Sequence, residues 1–124
     1  MCPVMVLEIS IDPYGDDDAV VEVLAFCVQG AKPSFEMTRE LLRLNSEVPL
    51  GAFSMLENDI FFSHSFLGRE MRPDQFISSL DAVASISDEY DDHLVKRYGG
   101  ETALESLRTG RQRRLPISPK AENN

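Results

Sequence analysis

Residues 50–66, LGAFSMLENDIFFSHSF, decide the fold, because two runs rich in aliphatic and aromatic residues flank a short polar turn. The turn is Glu57-Asn58-Asp59, and two β-patterned runs separated by about three turn residues are typical of a β-hairpin. Side chains alternate between the two faces of a strand. One face of the returning strand therefore carries Ile60, Phe62, His64 and Phe66, and the other carries Phe61, Ser63 and Ser65.

Two further strands are predicted ahead of this hairpin. In residues 4–11, one face becomes polar toward its end, while the other carries Met5, Leu7, Ile9 and Ile11. Residues 12–18 contain a proline, a glycine and four aspartates, and they predict a turn. Residues 19–28 are apolar on both faces, which is typical of a central strand or of a strand covered on both sides.

Two helices complete the predicted domain. Ser34 is a suitable N-cap for a helix over residues 35–46, whose inward face is predicted to carry Phe35, Thr38, Leu41, Leu42 and Asn45. A second helix begins at Pro73, carries an apolar stripe, and stops at Gly99-Gly100. Residues 101–107 are predicted to add one short helical turn. The order of elements predicts an α+β fold, with an antiparallel β-sheet flanked by helices.

Composition and charge restrict the classes of partner. The chain has 124 residues and a net charge of −9, so nucleic acid and anionic membrane surfaces are disfavoured. No stretch reaches the roughly 18 apolar residues of a membrane span, and the start lacks the basic region of a signal peptide. A cytoplasmic location is therefore predicted, where Cys2 and Cys27 are expected to be free thiols.

The charge is distributed unevenly along the chain. Residues 108–124 contain five basic residues and one acidic residue, whereas residues 1–107 contain 7 basic and 20 acidic residues. This difference predicts one acidic domain over residues 1–107 and a basic, disordered tail over residues 108–124. The tail could contact nucleic acid or, at least as readily, acidic surface on its own domain or on a neighbouring copy.

No motif indicates catalysis or a bound metal. Asp12, Asp16, Asp17 and Asp18 could supply calcium ligands, but their spacing is not that of an EF-hand, and a solvated turn is the simpler interpretation. His64 and His93 have no histidine or cysteine partner at a zinc-like spacing. Apolar neighbours surround Cys27 and would not lower its pKa. We therefore assign no catalytic, cofactor-binding or metal-binding residue.

Seven short stretches carry a family resemblance through their order and spacing. They are Leu44-Asn45 and residues 49–53, 60–65, 72–76, 88–90, 98–100 and 103–105. Together they resemble the YbjN family, whose fold is similar to that of the type III secretion chaperones. Members usually begin with a helix before the first strand pair. Either the first strand here lacks that covering helix, or the sequence is shortened.

The resemblance implies a chaperone-like or regulatory protein, commonly a homodimer, with apolar grooves that hold client segments and no catalytic residues. The residues themselves agree, because strands that are apolar on both faces need more cover than two helices supply, and an uncovered apolar face is an interaction surface. The candidate protein-binding residues are Val4, Val6, Leu24, Phe26 and Phe61. The leading hypothesis is a small, non-enzymatic protein-binding adaptor or chaperone. An acidic calcium-binding regulator and an enzyme with a site assembled from distant residues are the alternatives.

Overall fold

The computed structural model describes residues 7–102, which form a four-stranded antiparallel sheet and two helices. In chain order the elements are strands β1 (Leu7–Tyr14) and β2 (Asp18–Val28), helix α1 (Phe35–Glu47), strands β3 (Ala52–Leu56) and β4 (Asp59–Leu67), a 3-10 turn (Gly68–Glu70) and helix α2 (Pro73–Tyr98). Across the sheet the strand order is β1-β2-β4-β3. The predicted α+β fold and both predicted hairpins are confirmed.

The first hairpin is longer than predicted. β1 continues to Tyr14 and β2 starts at Asp18, so the turn occupies only residues 15–17. Pro13 pairs with Ala19 inside the ladder. A proline is tolerated at this position because β1 lies at an edge of the sheet, where the missing N–H can face away from β2. The prediction that the turn begins at Asp12 was wrong for this reason.

Both helices pack on the same face of the sheet. α2 lies mainly against β2 and β4, and α1 lies against β3. The strands and helices share one core, whose buried members include Val23, Ala25, Cys27, Met37, Leu41, Leu44, Phe53, Ile60, Phe62, Val83 and Leu94. The predicted central position of β2 is confirmed, since it lies between β1 and β4.

Helix α1 begins as predicted but presents a different face to the core. Ser34 Oγ accepts a hydrogen bond from the backbone N–H of Met37 at 3.0 Å, which confirms the N-cap. The core contact is made by Met37, Leu41 and Leu44. Phe35 is 79% exposed and Leu42 is 66% exposed, so their predicted inward position was wrong. Two rows of this helix carry apolar residues at helical spacing, and only the position of the sheet decides which row is buried.

The chain turns back at the end of α2 instead of adding a helical turn. Gly99 caps the helix, as predicted, and both Gly99 and Gly100 have positive φ, at 80° and 86°. Glu101 and Gln29 then exchange two backbone hydrogen bonds of 2.8 Å as an isolated antiparallel bridge. The predicted helical turn was wrong at Glu101, and residues 103–107 lie outside the described residues. Within residues 7–102, neither helix meets the length and apolar character that a membrane span requires.

Candidate functional site

The sheet extends one strand beyond the helix layer. Ile9 pairs with Val23 and Ile11 pairs with Val21, so both isoleucines lie on the helix-bearing face of the sheet. Val21 and Val23 are buried, whereas both isoleucines are exposed, Ile11 by 67%. The cause is the position of α2, whose main contacts are with β2 and β4.

One flank of α2 faces the β1 side of the sheet. His93 and Arg97 contact Glu40 and Glu36 of α1, so their flank faces the β3 side of the sheet. Helical spacing places Ile77, Ala84 and Val95 on the opposite flank, toward β1. Ile77 is 59% exposed, although it is a large apolar side chain. We name the surface formed by Ile9, Ile11, Ile77 and Ala84 the β1 ledge.

The backbone of β1 is open along the outer side of the ledge. Within residues 7–102, β1 pairs only with β2 and forms one edge of the sheet. An edge strand presents a row of backbone N–H and C=O groups that can pair with another chain. Exposed isoleucines next to an open strand edge are the combination that favours the addition of an extended peptide.

The residues predicted from sequence to bind protein lie on the other face of the sheet. Leu24, Phe26 and Phe61 form one small cluster there, separate from the main core. Phe26 is completely buried and Leu24 is buried, whereas Phe61 is half-buried. Val4 and Val6 lie outside the described residues. The structure therefore brings three of the five predicted residues together, and only Phe61 keeps part of its surface accessible.

A cluster of charged and polar side chains joins α1 to the end of α2 by hydrogen bonds, which hold the two helices in position relative to each other. Glu40 Oε1 accepts a short hydrogen bond from the Tyr98 hydroxyl, and Glu40 Oε2 lies 2.7 Å from His93 Nε2. Arg97 adds a hydrogen bond of 2.8 Å to Glu36. Burial by itself would raise the pKa of Glu40, but the hydrogen bonds from Tyr98 and His93, together with the charges of His93 and Arg97, outweigh it and lower the pKa.

The lowered pKa of Glu40 predicts a loss of stability in acid. A carboxylate whose pKa is depressed by folding stabilises the folded state above its unfolded value, near 4.5, and loses that contribution as the pH falls through the folded value. We expect Glu40→Gln to reduce the free energy of unfolding at pH 7 and to reduce it much less at about pH 3, measured by urea denaturation. Glu57→Gln, outside the cluster, is the control. An equal effect of Glu40→Gln at both pH values would contradict this role.

The acidic turn does not have the geometry of a calcium site. Arg69 donates from its side chain to Asp17 at 2.6 Å and from its backbone N–H to Asp18 Oδ1 at 2.9 Å. Asp18 Oδ1 also accepts from the N–H of Ala19. Asp17 is therefore paired with the Arg69 guanidinium, whose positive charge would repel a calcium ion. One oxygen of Asp18 is already occupied by two backbone N–H groups. Among residues 7–102, no group of three or more His, Cys, Asp or Glu side chains could hold a metal ion.

The remaining candidates for chemistry occupy structural positions. Cys27 is completely buried, and its thiol lies 3.0 Å from Ser87 Oγ. Burial raises the pKa of Cys27 to about 12, since the hydrogen bond with Ser87 only partly opposes it. His64 lies beside Phe66, with ring centroids 5.8 Å apart, and not beside Cys27. A buried thiol with a raised pKa is not a nucleophile.

A family model matches residues 9–106, which include both hairpins and both helices. The model is that of TY-Chap1, described as T3SS (YopN, CesT) and YbjN peptide-binding chaperone 1. The chain belongs to this family. The resemblance to the YbjN family, based on short stretches between residues 44 and 105, is thereby confirmed. No curated protein matches the chain. A family described as peptide-binding chaperones needs a surface for a protein segment.

Sequence reasoning missed the residues of the β1 ledge. Ile9 and Ile11 were predicted on one face of the first strand, as observed, and an apolar stripe was predicted on the second helix. The missing information was the place at which α2 crosses the sheet. No local pattern in the sequence gives that place, because it is set by packing between distant parts of the chain.

Proposed function

We propose that this protein is a small, non-enzymatic chaperone or adaptor that binds an extended segment of another protein along the β1 ledge. The observation that carries the proposal is the exposure of Ile9 and Ile11 next to the open backbone of β1. The family supports the same class of ligand, since its members are described as peptide-binding chaperones.

The geometry supports binding by strand addition. A client segment paired with β1 would satisfy the outer N–H and C=O groups of the strand and would place alternate side chains over Ile9, Ile11 and the flank of α2. Each isoleucine that becomes fully buried would contribute about 1 to 3 kcal/mol, which is enough for selective binding once several backbone hydrogen bonds form.

We also propose that Leu24, Phe26 and Phe61, on the opposite face, take part in protein binding. Val4 and Val6, which lie outside the described residues, stay part of the predicted binding set. Phe61 is the accessible member of the described cluster. A partner on this face would contact Phe61 first and would reach Phe26 only after local rearrangement, because Phe26 has no exposed surface.

We further propose that the protein is a homodimer that associates through the outer face of α1. Phe35 and Leu42 lie seven residues apart on that face, and both are largely exposed. Residues at this spacing share one side of a helix and can pack against the same pair of a second copy in an isologous contact. The mass in solution would then be about twice 13.9 kDa.

Binding of a labelled model peptide tests the proposed function. The probe is a neutral fluorescent decapeptide of alternating valine and threonine, followed by anisotropy. We expect saturable binding to the unaltered protein and at least tenfold weaker binding to Ile11→Asp, since a carboxylate cannot be buried beneath the client without a large cost. Protection of β1 amides from hydrogen exchange should accompany binding, because strand addition satisfies them.

Leu42→Asp is the matched control, because Leu42 and Ile11 have nearly the same exposure, 66% and 67%. Leu42→Asp should halve the mass in solution and leave peptide binding intact. Ile11→Asp should weaken peptide binding and leave the mass in solution unchanged. Phe61→Asp reports on the opposite face in the same assay. Equal peptide affinity of Ile11→Asp and the unaltered protein would overturn the assignment of the ledge.

A further inference from the structure

The side chains of β1 differ in chemistry between the two faces of the sheet. Ile9 and Ile11 face the helix side, whereas Glu8, Ser10 and Asp12 face the opposite side. A strand added along β1 would alternate in the same way. Its helix-side residues would meet isoleucines, and its other residues would meet the carboxylates of Glu8 and Asp12 directly across the pairing.

A third carboxylate adds to the negative charge of that face. Glu22 on β2 pairs with Ser10, so it lies on the same face as Glu8 and Asp12 and between them along the strand. Within residues 7–102, Asp12 and Glu22 form no ion pair. No strand residue of that face in the described chain is basic, since β3 and β4 contribute alanine, serine, phenylalanine, leucine and one aspartate, Asp59, there.

Four of the seven basic side chains in residues 7–102 form ion pairs with carboxylates other than Asp12 and Glu22. Arg43 and Arg97 form ion pairs between and along the helices, with Glu47, Glu36 and Glu40. Arg69 and Arg72 are paired with Asp17 and Asp74. Within residues 7–102, no ion pair offsets the charges of Asp12 and Glu22, so these two carboxylates would repel an acidic client and favour a basic one.

We infer that the client segment alternates apolar and basic residues, so that apolar side chains cover Ile9 and Ile11 while lysine or arginine side chains pair with Asp12 and Glu22. The inference rests on the proposed function, because it specifies the ligand of the same surface. Opposite charges on neighbouring strands attract each other, so two such pairs would strengthen binding about tenfold at low salt.

Three peptides of equal length test the inference. Each alternates valine with lysine, threonine or glutamate, and affinities are measured by anisotropy at about 0.02 M and about 0.5 M salt, which span weak and strong screening. We expect the lysine peptide to bind about tenfold more tightly than the threonine peptide at low salt, and the glutamate peptide to bind more weakly than both. The advantage of lysine should largely disappear at high salt.

Matched variants separate local pairing from net charge. Asp12→Asn combined with Glu22→Gln should remove the advantage of the lysine peptide while the threonine peptide binds as before, which also shows that the variant is folded. Glu47→Gln combined with Glu57→Gln makes the same change in net charge near β3, at the other edge of the sheet. This variant should still bind the lysine peptide more tightly than the threonine peptide. An equal loss in both double variants would overturn the local assignment.

The same measurements distinguish the inference from the proposed function. If the lysine and threonine peptides bind the unaltered protein with equal affinity, the charge complementarity is refuted and peptide binding stands. If no peptide binds the unaltered protein at any salt concentration, the proposed function itself is refuted.

Discussion

Replacing Phe62 by alanine is expected to destabilise the domain by about 3 to 5 kcal/mol, as is typical of a phenylalanine deleted from a core. Phe62 has no exposed surface and lies on β4, where it pairs with Ala25 on one side and Phe53 on the other. Its ring meets that of Phe53 edge to face, with centroids 4.8 Å apart. The substitution would leave a cavity between the two central strands and α2, and it would remove this aromatic pair.

Urea denaturation of the two proteins measures the loss. Small domains are stable by only about 5 to 15 kcal/mol, so the variant should be close to unfolding at 37 °C. Tyr14→Ala is the control, because it also removes an aromatic ring, at a position that is 57% exposed, and it should change the free energy of unfolding by less than about 0.5 kcal/mol. A similar loss in both variants would show that Phe62 does not occupy the core.

Gly100→Ala is expected to cost about 2 to 4 kcal/mol, through backbone strain and a clash that relaxation cannot remove. Gly100 has a φ of 86°, and a Cβ there would lie 2.5 Å from the carbonyl oxygen of Gln29 and 2.8 Å from Val28 Cγ1. The chain would have to move away from β2, and the two hydrogen bonds between Gln29 and Glu101 would be lost.

Gly99→Ala separates the two causes. Gly99 has a φ of 80°, close to that of Gly100, but an added Cβ would have no heavy atom within 4 Å. This control should therefore show only the cost of the left-handed backbone, about 1 to 2 kcal/mol. Thermal unfolding of both variants gives the comparison. If the two glycines are equally costly to replace, the close approach of Gly100 to β2 contributes nothing.

The elements could be predicted from the sequence because each is specified locally. The hairpin over residues 50–66 follows from two apolar runs around a polar turn, and the start of α1 follows from Ser34. The boundary at Asp12 was misplaced because the tolerance of a strand for Pro13 depends on whether that strand is an edge, which is a property of the whole sheet.

The arrangement of the elements was less predictable than the elements themselves. The burial of Met37, Leu41 and Leu44 in place of Phe35 and Leu42 depends on where the sheet lies relative to α1. The exposure of Ile9 and Ile11 likewise depends on the path of α2. Local periodicity contains neither piece of information, since both follow from packing between distant parts of the chain.

The functional predictions had a similar outcome. Protein binding was predicted from surplus apolar strand surface, and membership of a peptide-binding chaperone family agrees with that class of function. The specific residues Leu24, Phe26 and Phe61 stay a prediction, as do the cytoplasmic location, the homodimer and the division into residues 1–107 and 108–124. The ledge was not predicted, because it combines β1 with a flank of α2.

The strand order β1-β2-β4-β3 also constrains how the chain reaches its native state. The pairings β1 with β2 and β3 with β4 are local hairpins, which form in about 1 to 10 μs. The pairing of β2 with β4 encloses α1 and β3 in a long loop, so its entropy of closure must be overcome before the core contacts are made. We therefore expect the slow event in folding to be the pairing of the two hairpins along β2 and β4, for example at Val23 and His64, and we expect the outer strand β1 to take no direct part in it.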